Sequence, residues 1–197
     1  VNDDRHADNV IAANTEIFVV YGSDIPKTYT DLRVDADVTI TSIGGDTDNT
    51  LSTGDLNGDK VDDIVVGIPK LSKVIAFFGS KTLPRFIDGT RPDVTITGKG
   101  TTDRFGTSLQ VTDVTGDDID DLLTCAPNAN NGAGQCYIVE GSNHLPNSLS
   151  AGNALVTFNG SSKSGLSEIA SGGDVNRDGK NDVISGAPNV KHGAGEG

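Results

Sequence analysis

"GDLNGDKVDDIVVGIP", residues 54–69, places four aspartates and one asparagine in nine positions and then turns apolar at Ile64-Val65-Val66. Like carboxylates at close range repel unless a positive charge sits among them. The stretch is therefore either a solvated acidic turn or a cation site. Recurrence separates the two. "TDVTGDDIDDLLTCAP" occupies 112–127 and "GDVNRDGKNDVISGAP" occupies 173–188. Asp55, Asp113 and Asp174 align, 58 and 61 residues apart. Asp59, Asp117 and Asp178 follow four places on, and Asp63, Asp121 and Asp182 eight places on. Each copy closes on an apolar run and a proline, at Pro69, Pro127 and Pro188. Three carboxylates at constant offsets in three copies favour the cation site.

The rest of the period repeats as well, and repeats decide architecture. "EIFVVYGSD" (16–24), "KVIAFFGSK" (73–81) and "QCYIVEGSN" (135–143) are one motif, an apolar strand closing on Gly-Ser. "DVTITS" (37–42), "DVTITG" (93–98) and "LVTFNG" (155–160) are another, alternating as a half-buried strand does. One period thus reads as strand, acidic loop, strand, proline turn, strand, long connection, strand. Four short strands per period predict an all-β chain of β-propeller blades. The expected units are a partial blade at 1–43 (third and fourth strands), blades at 44–98 and 99–160, and a partial blade at 161–197 (first and second strands). A polar segment leads into "EIFVVYG", and helix is hard to place except as a turn in 24–33 or 144–152. Propellers have about 4–8 blades, so the reading expects a larger ring, completed by more chain or by another copy.

Composition agrees. Of 197 residues, 35 % are hydrophobic but only 5 % aromatic, with no Trp, and 25 are Gly, as short strands joined by turns require. Net charge is −13, and no basic stripe is present to neutralise phosphates, which excludes nucleic acid as a partner. No apolar stretch approaches the roughly 20 residues that span a bilayer. The chain shows neither a signal peptide nor any Met, which reads as a mature or excised piece. Cys125 and Cys136 lie 11 residues apart. They pair if they face each other across one hairpin; the alternative is two buried free thiols. The Asn-Gly-Ser sequon at Asn159 marks a glycosylation acceptor. Together these point to an extracellular setting.

Calcium takes about 6–8 oxygen ligands in flexible geometry, and alternate residues of a tight loop can turn oxygens inward. The first loop offers Asp55, Asn57, Asp59 and Asp63 with the Val61 carbonyl. The second offers Asp113, Thr115, Asp117 and Asp121 with the Ile119 carbonyl, and the third Asp174, Asn176, Asp178 and Asp182 with the Lys180 carbonyl. About three Ca²⁺ ions are expected. Donor sets without His or Cys disfavour zinc and copper, and magnesium demands a stricter octahedron. An EF-hand needs an acidic twelfth residue followed by a helix; Val66, Thr124 and Ser185 stand there, before β-branched strands.

The order Phe105-Gly106, acidic loop, then Cys125-Ala126-Pro127 or Gly186-Ala187-Pro188 resembles the FG-GAP repeats of integrin α-subunit β-propellers. The resemblance implies that the loops join the first and second strands of each blade on one rim. It also implies a disulfide between the proline turn and the next strand. Phe-Gly is present only at 105–106; the places near 47–48 and 165–166 read Thr-Asp and Gly-Leu. The second loop glycine survives as Gly179 but is Lys60 and Asp118 in the other copies, so the third loop is expected to be the most regular. His6, His144 and His192 have no triad partners, and no nucleophile elbow or phosphate loop appears, so no catalysis is expected. The implied function is an extracellular calcium-binding module for adhesion to a protein or glycan ligand. The alternative is a structural or carbohydrate-binding accessory propeller. No Arg-Gly-Asp motif is present.

Overall fold

A computed structural model describes residues 1–2, 6–24, 28–44 and 48–189. His192 and Thr47, which the sequence reading touches, lie outside them, as does the end of the last partial blade. The regular structure of the described residues is nearly all strand, in four sheets that do not close into a barrel.

The first sheet holds β1 (Asn9–Ala13), β2 (Glu16–Val20) and β3 (Val38–Thr41). The second runs as an antiparallel meander through β4 (Thr50–Gly54), β5 (Asp63–Ile68) and β6 (Lys73–Phe77). Its next segment, β7 (Phe86–Asp88), leaves to pair in parallel with β3 before β8 (Val94–Thr97) returns against β6. The third sheet repeats the plan with β9 (Leu109–Thr112), β10 (Asp121–Ala126), β11 (Gln135–Val139) and β13 (Val156–Asn159), while β12 (Ser148–Ser150) pairs in parallel with β8. The last is the hairpin of β14 (Glu168–Gly173) and β15 (Asp182–Gly186). These are propeller blades. Helix is confined to short turns, among them Leu32–Asp35 and Ala151–Asn153.

Stacking of the sheets explains the sequence of the inner strands. All six residues of β5 and all six of β10 are buried, because each strand packs on a sheet at both faces. Ile64, Val66, Ile68, Ile75 and Phe77 join a core with Ile17, Val19, Val38 and Ile40 of the first sheet. The alternate residues Val65, Val74 and Ala76 join Phe105, Leu122, Tyr137 and Val139 of the third. Leu123, Cys125, Cys136 and Ile138 then meet Leu166 and Ile169 of the fourth.

Two departures from the sequence expectation stand out. The segment read as a polar lead-in forms β1, paired with β2 from Asn9↔Val20 to Ala13↔Glu16. The long connections of the second and third sheets also contain a three-residue strand, β7 or β12, that attaches to the outer strand of the preceding blade. The second sheet therefore has five strands, one more than expected, while the first and third have four.

Cys125 and Cys136 are directly opposite in the β10–β11 register and form a disulfide. Bridges of this kind contribute typically 2–4 kcal/mol, in part by restricting the unfolded chain. Replacing both cysteines with Ser is expected to lower unfolding free energy by about that amount, read from urea denaturation. Unreduced protein should resist alkylation at both positions. Phe105, fully buried and edge-on to Tyr137 at 5.5 Å between centroids, anchors the core between the second and third sheets. Phe105→Ala should cost about 3–5 kcal/mol in the same measurement.

Candidate metal centre

Each acidic loop joins the first two strands of a sheet: 55–62 between β4 and β5, 113–120 between β9 and β10, 174–181 between β14 and β15. In the first, Asp55 folds the loop on itself: its Oδ1 accepts from Asp59 N (2.9 Å) and its Oδ2 from Lys60 N (2.9 Å). Asn57 Oδ1 accepts from Asp59 N (2.9 Å) and Asp59 Oδ1 from Val61 N (2.9 Å). Asp63 closes the loop, accepting from Leu56 N at 3.0 Å. The third loop repeats this bond for bond. Asp174 accepts from Asp178 N and Gly179 N (both 3.0 Å), Asp178 from Lys180 N (3.0 Å), and Asp182 from Val175 N (2.7 Å). In the second, Asp113 accepts from Gly116 N (2.6 Å) and Asp118 N (3.0 Å), Asp117 from Ile119 N (3.0 Å), and Asp121 from Val114 N (2.9 Å) and Thr115 N (3.1 Å).

The expected ligand side chains are thus drawn into one small space in each loop. In the first, the Asn57 amide nitrogen lies 3.2 Å from Asp59 Oδ2 and 3.5 Å from Asp63 Oδ1. In the third, Asn176 bridges Asp178 and Asp182 at 3.0 and 3.5 Å. The positive end of an amide dipole stands between two carboxylates. The second loop has no such amide, and there Thr115 Oγ1 is buried without a hydrogen-bond partner. As the side chains stand, no group of three or more His, Cys, Asp or Glu among the described residues is arranged to hold a metal ion. The donor chemistry nonetheless fits a hard cation: oxygen donors throughout, one of them orphaned, and carboxylates facing one another.

The electrostatics have the same sense. Asp63 is completely buried. Burial pushes its carboxyl up to about 7, the N–H of Gly79 opposes this, and the charges of Asp59 and Asp55 push further upward. Burial likewise raises Asp121, against the N–H groups of Val114, Gly141 and Thr115. Asp178, out in solvent, is held low by the Asn176 amide.

The third loop is not the most regular, contrary to the sequence expectation. All three loops take positive φ at the third and fifth residues after the first aspartate. The first and second put glycine at the earlier place (Gly58, Gly116) and Lys60 (φ 69) or Asp118 (φ 67) at the later; the third exchanges these, with Arg177 (φ 64) and then Gly179. Each loop carries one non-glycine there, at a cost of about 1–2 kcal/mol.

Other residues singled out by sequence lie elsewhere. Asn159 ends β13, exposed, with Oδ1 accepting from Gln135 Nε2 at 2.6 Å. His6 pairs with Asp24 at 3.0 Å, and His144 with Asn143.

The FG-GAP repeat family matches residues 105–139 and 167–197, stretches that contain the second and third loops. This chain carries FG-GAP repeats. Over 151 residues, 70 % of the chain, it is 31 % identical to integrin alpha-5 of Xenopus laevis. Over 145 residues, 69 % of the chain, it is 30 % identical to integrin alpha-PS2 of Drosophila melanogaster. The chain spans 13 % and 10 % of the lengths of these relatives.

The FG-GAP motif itself has a packing reason here. Gly106 sits at φ +97, and an added Cβ would lie 3.0 Å from Lys73 O and 3.1 Å from the Cα of Gly67, the glycine of Gly67-Ile68-Pro69 in the preceding blade. The glycines let two blades meet backbone to backbone. In the last blade the Phe-Gly place is Leu166-Ser167, one residue later than the sequence alignment put it. Ser167 N donates to Gly186 O just as Gly106 N donates to Cys125 O, and Leu166 is buried.

Because the folded-state pKa of Asp63 is raised, its contribution to stability is present in full below the unfolded value, 3.8, and is lost as pH rises through about 7. Calorimetry with divalent cations chelated should therefore show the melting temperature falling across that window. With calcium present the fall should be smaller, so the gap between the two curves widens with pH.

Proposed function

We propose that the chain is an extracellular, non-catalytic calcium-binding module of an integrin-α-like propeller, used for adhesion or ligand binding. The observation that carries this reading is the shared backbone design of the three loops, each folded on its own first aspartate, together with the orphaned Thr115 Oγ1 in the second. On this reading 44–98 and 99–160 are successive blades of one propeller, flanked by partial blades at 1–43 and 161–197. Each loop would hold one Ca²⁺: Asp55, Asn57, Asp59, Asp63 and the Val61 carbonyl in the first; Asp113, Thr115, Asp117, Asp121 and the Ile119 carbonyl in the second; Asp174, Asn176, Asp178, Asp182 and the Lys180 carbonyl in the third. The bound ion supplies the positive charge that offsets carboxylate repulsion. The chain's own part is to bring the carboxylates together and, through Asp63 and Asp121, to tie each loop to the strand behind it.

Ligand recognition is assigned to the rim opposite the loops, built by the connections 98–105 and 127–135, which touch through Asn128 N and Asp103 O at 3.1 Å. The only aromatic residue in those segments, Phe105, is buried. That leaves no stacking platform for a sugar and favours a protein ligand over the carbohydrate-binding alternative. Among the described residues no helix is long and apolar enough to cross a membrane.

Calcium titration by calorimetry tests the reading: about three ions should bind, and melting temperature should rise with calcium, as mass action requires for ions bound only by the folded state. No binding at millimolar calcium would sink it.

A further inference from the structure

Asp120 lies between two loops without occupying a ligand position in either. Its Oδ2 accepts from Asp55 N at 2.8 Å, and its own N–H donates to Asp55 O at 3.0 Å. Its Oδ1 accepts from Asp113 N at 2.9 Å. One carboxylate thus holds the backbone of the first ligand residue of both the first and the second loop. Gly54 makes the approach possible, since a Cβ there would stand 2.7 Å from Asp120 Oδ2. A second strap runs beside it, from Lys60 Nζ to Asp118 O at 2.6 Å. In the third loop the matching residue is Asn181, whose amide reaches Asp113 O at 2.8 Å. That bond touches the second loop's carbonyl and leaves Asp174, the third loop's own first ligand, to the exposed hairpin.

We propose that Asp120 is a positioning residue shared by the first and second loops, so that its removal weakens cation affinity in these two and not in the third, whose first ligand it does not touch. The inference rests on the calcium reading above. Asp55 and Asp113 can contribute to their ligand sets only if their backbones stay in place, and each is held by one of the two oxygens of the same carboxylate. Residues that orient metal ligands typically change affinity about 10–100-fold when removed. Here the change should fall on two sites at once.

The test is calcium calorimetry on the full chain. Wild type sets the number of sites, and Asp117→Ala, a single-loop ligand change, should remove one. Asp120→Ala should weaken two sites by about tenfold or more and leave one at its wild-type affinity. In an Asp178→Ala background, where only the first two loops report, Asp120→Ala should weaken everything that remains. Asp120→Asn, which keeps the shape and one acceptor oxygen, should fall between wild type and Asp120→Ala, and it replaces that variant should its circular dichroism in chelator show a lost fold. Weakening of one site alone, or affinities all within about twofold of wild type, overturns the shared role. Failure of wild type itself to bind calcium would overturn the calcium reading instead, a result distinct from either.

Discussion

The buried carboxylates of Asp63 and Asp121, at the first positions of β5 and β10, hold the loop-bearing rim together. Each accepts from its own loop and, through the other oxygen, from the strand-closing glycine of the next connection: Gly79 N at 2.9 Å and Gly141 N at 3.1 Å. A charge so deeply placed is costly unless it is bonded and neutralised. The same residue must therefore be acidic for the cation, buried for the sheet, and surrounded by N–H groups for both. Aspartate meets all three demands at the ninth position of the first two loops; Asp182, at the same place in the third, is only half-buried and keeps the bonds to its own loop.

Blade-to-blade packing follows from a second economy. The inner strands have a sheet on each side, so successive residues serve different neighbours: Val65 looks toward the third sheet while Ile64 and Val66 look toward the first. The innermost strands meet by side chains that replace missing ladder partners. Ser52 Oγ accepts from Val111 N at 3.1 Å, and Gln110 Oε1 accepts from Ser171 N at 2.8 Å. A polar residue on a strand otherwise bound for the core is then satisfied by the next blade, as buried donors must be.

Most of this architecture was legible in the sequence because its signals are local and repeated. The acidic loops, the Gly-Ser strand ends and the alternating outer strands recur at a near-constant period, and each carries its own composition. What escaped detection has no local signature. Asn-Val-Ile-Ala-Ala becomes a strand because β2 offers an edge, not because it alternates. The three residues of β7 and β12 pair in parallel with strands far away in sequence, so no turn or period announces them. The exchange of glycine between two left-handed positions in the third loop defeats alignment by residue type, since it preserves backbone shape while swapping identities. At the Phe-Gly place, Leu166-Ser167 keeps the hydrophobe and loses the glycine, which shifted the match by one.

The borrowed strands bear on how the chain is made. β3 receives its outer partner only when residues 86–88 exist, and β8 waits for residues 148–150. On a ribosome each blade therefore leaves an open edge until most of its successor has emerged, and domains assemble from the N-terminus as synthesis proceeds. Unpaired edges recruit whatever strand is nearby. Closure by a three-residue segment arriving from the following blade limits that exposure to about one blade's worth of translation, and makes the order of synthesis the order in which edges are sealed.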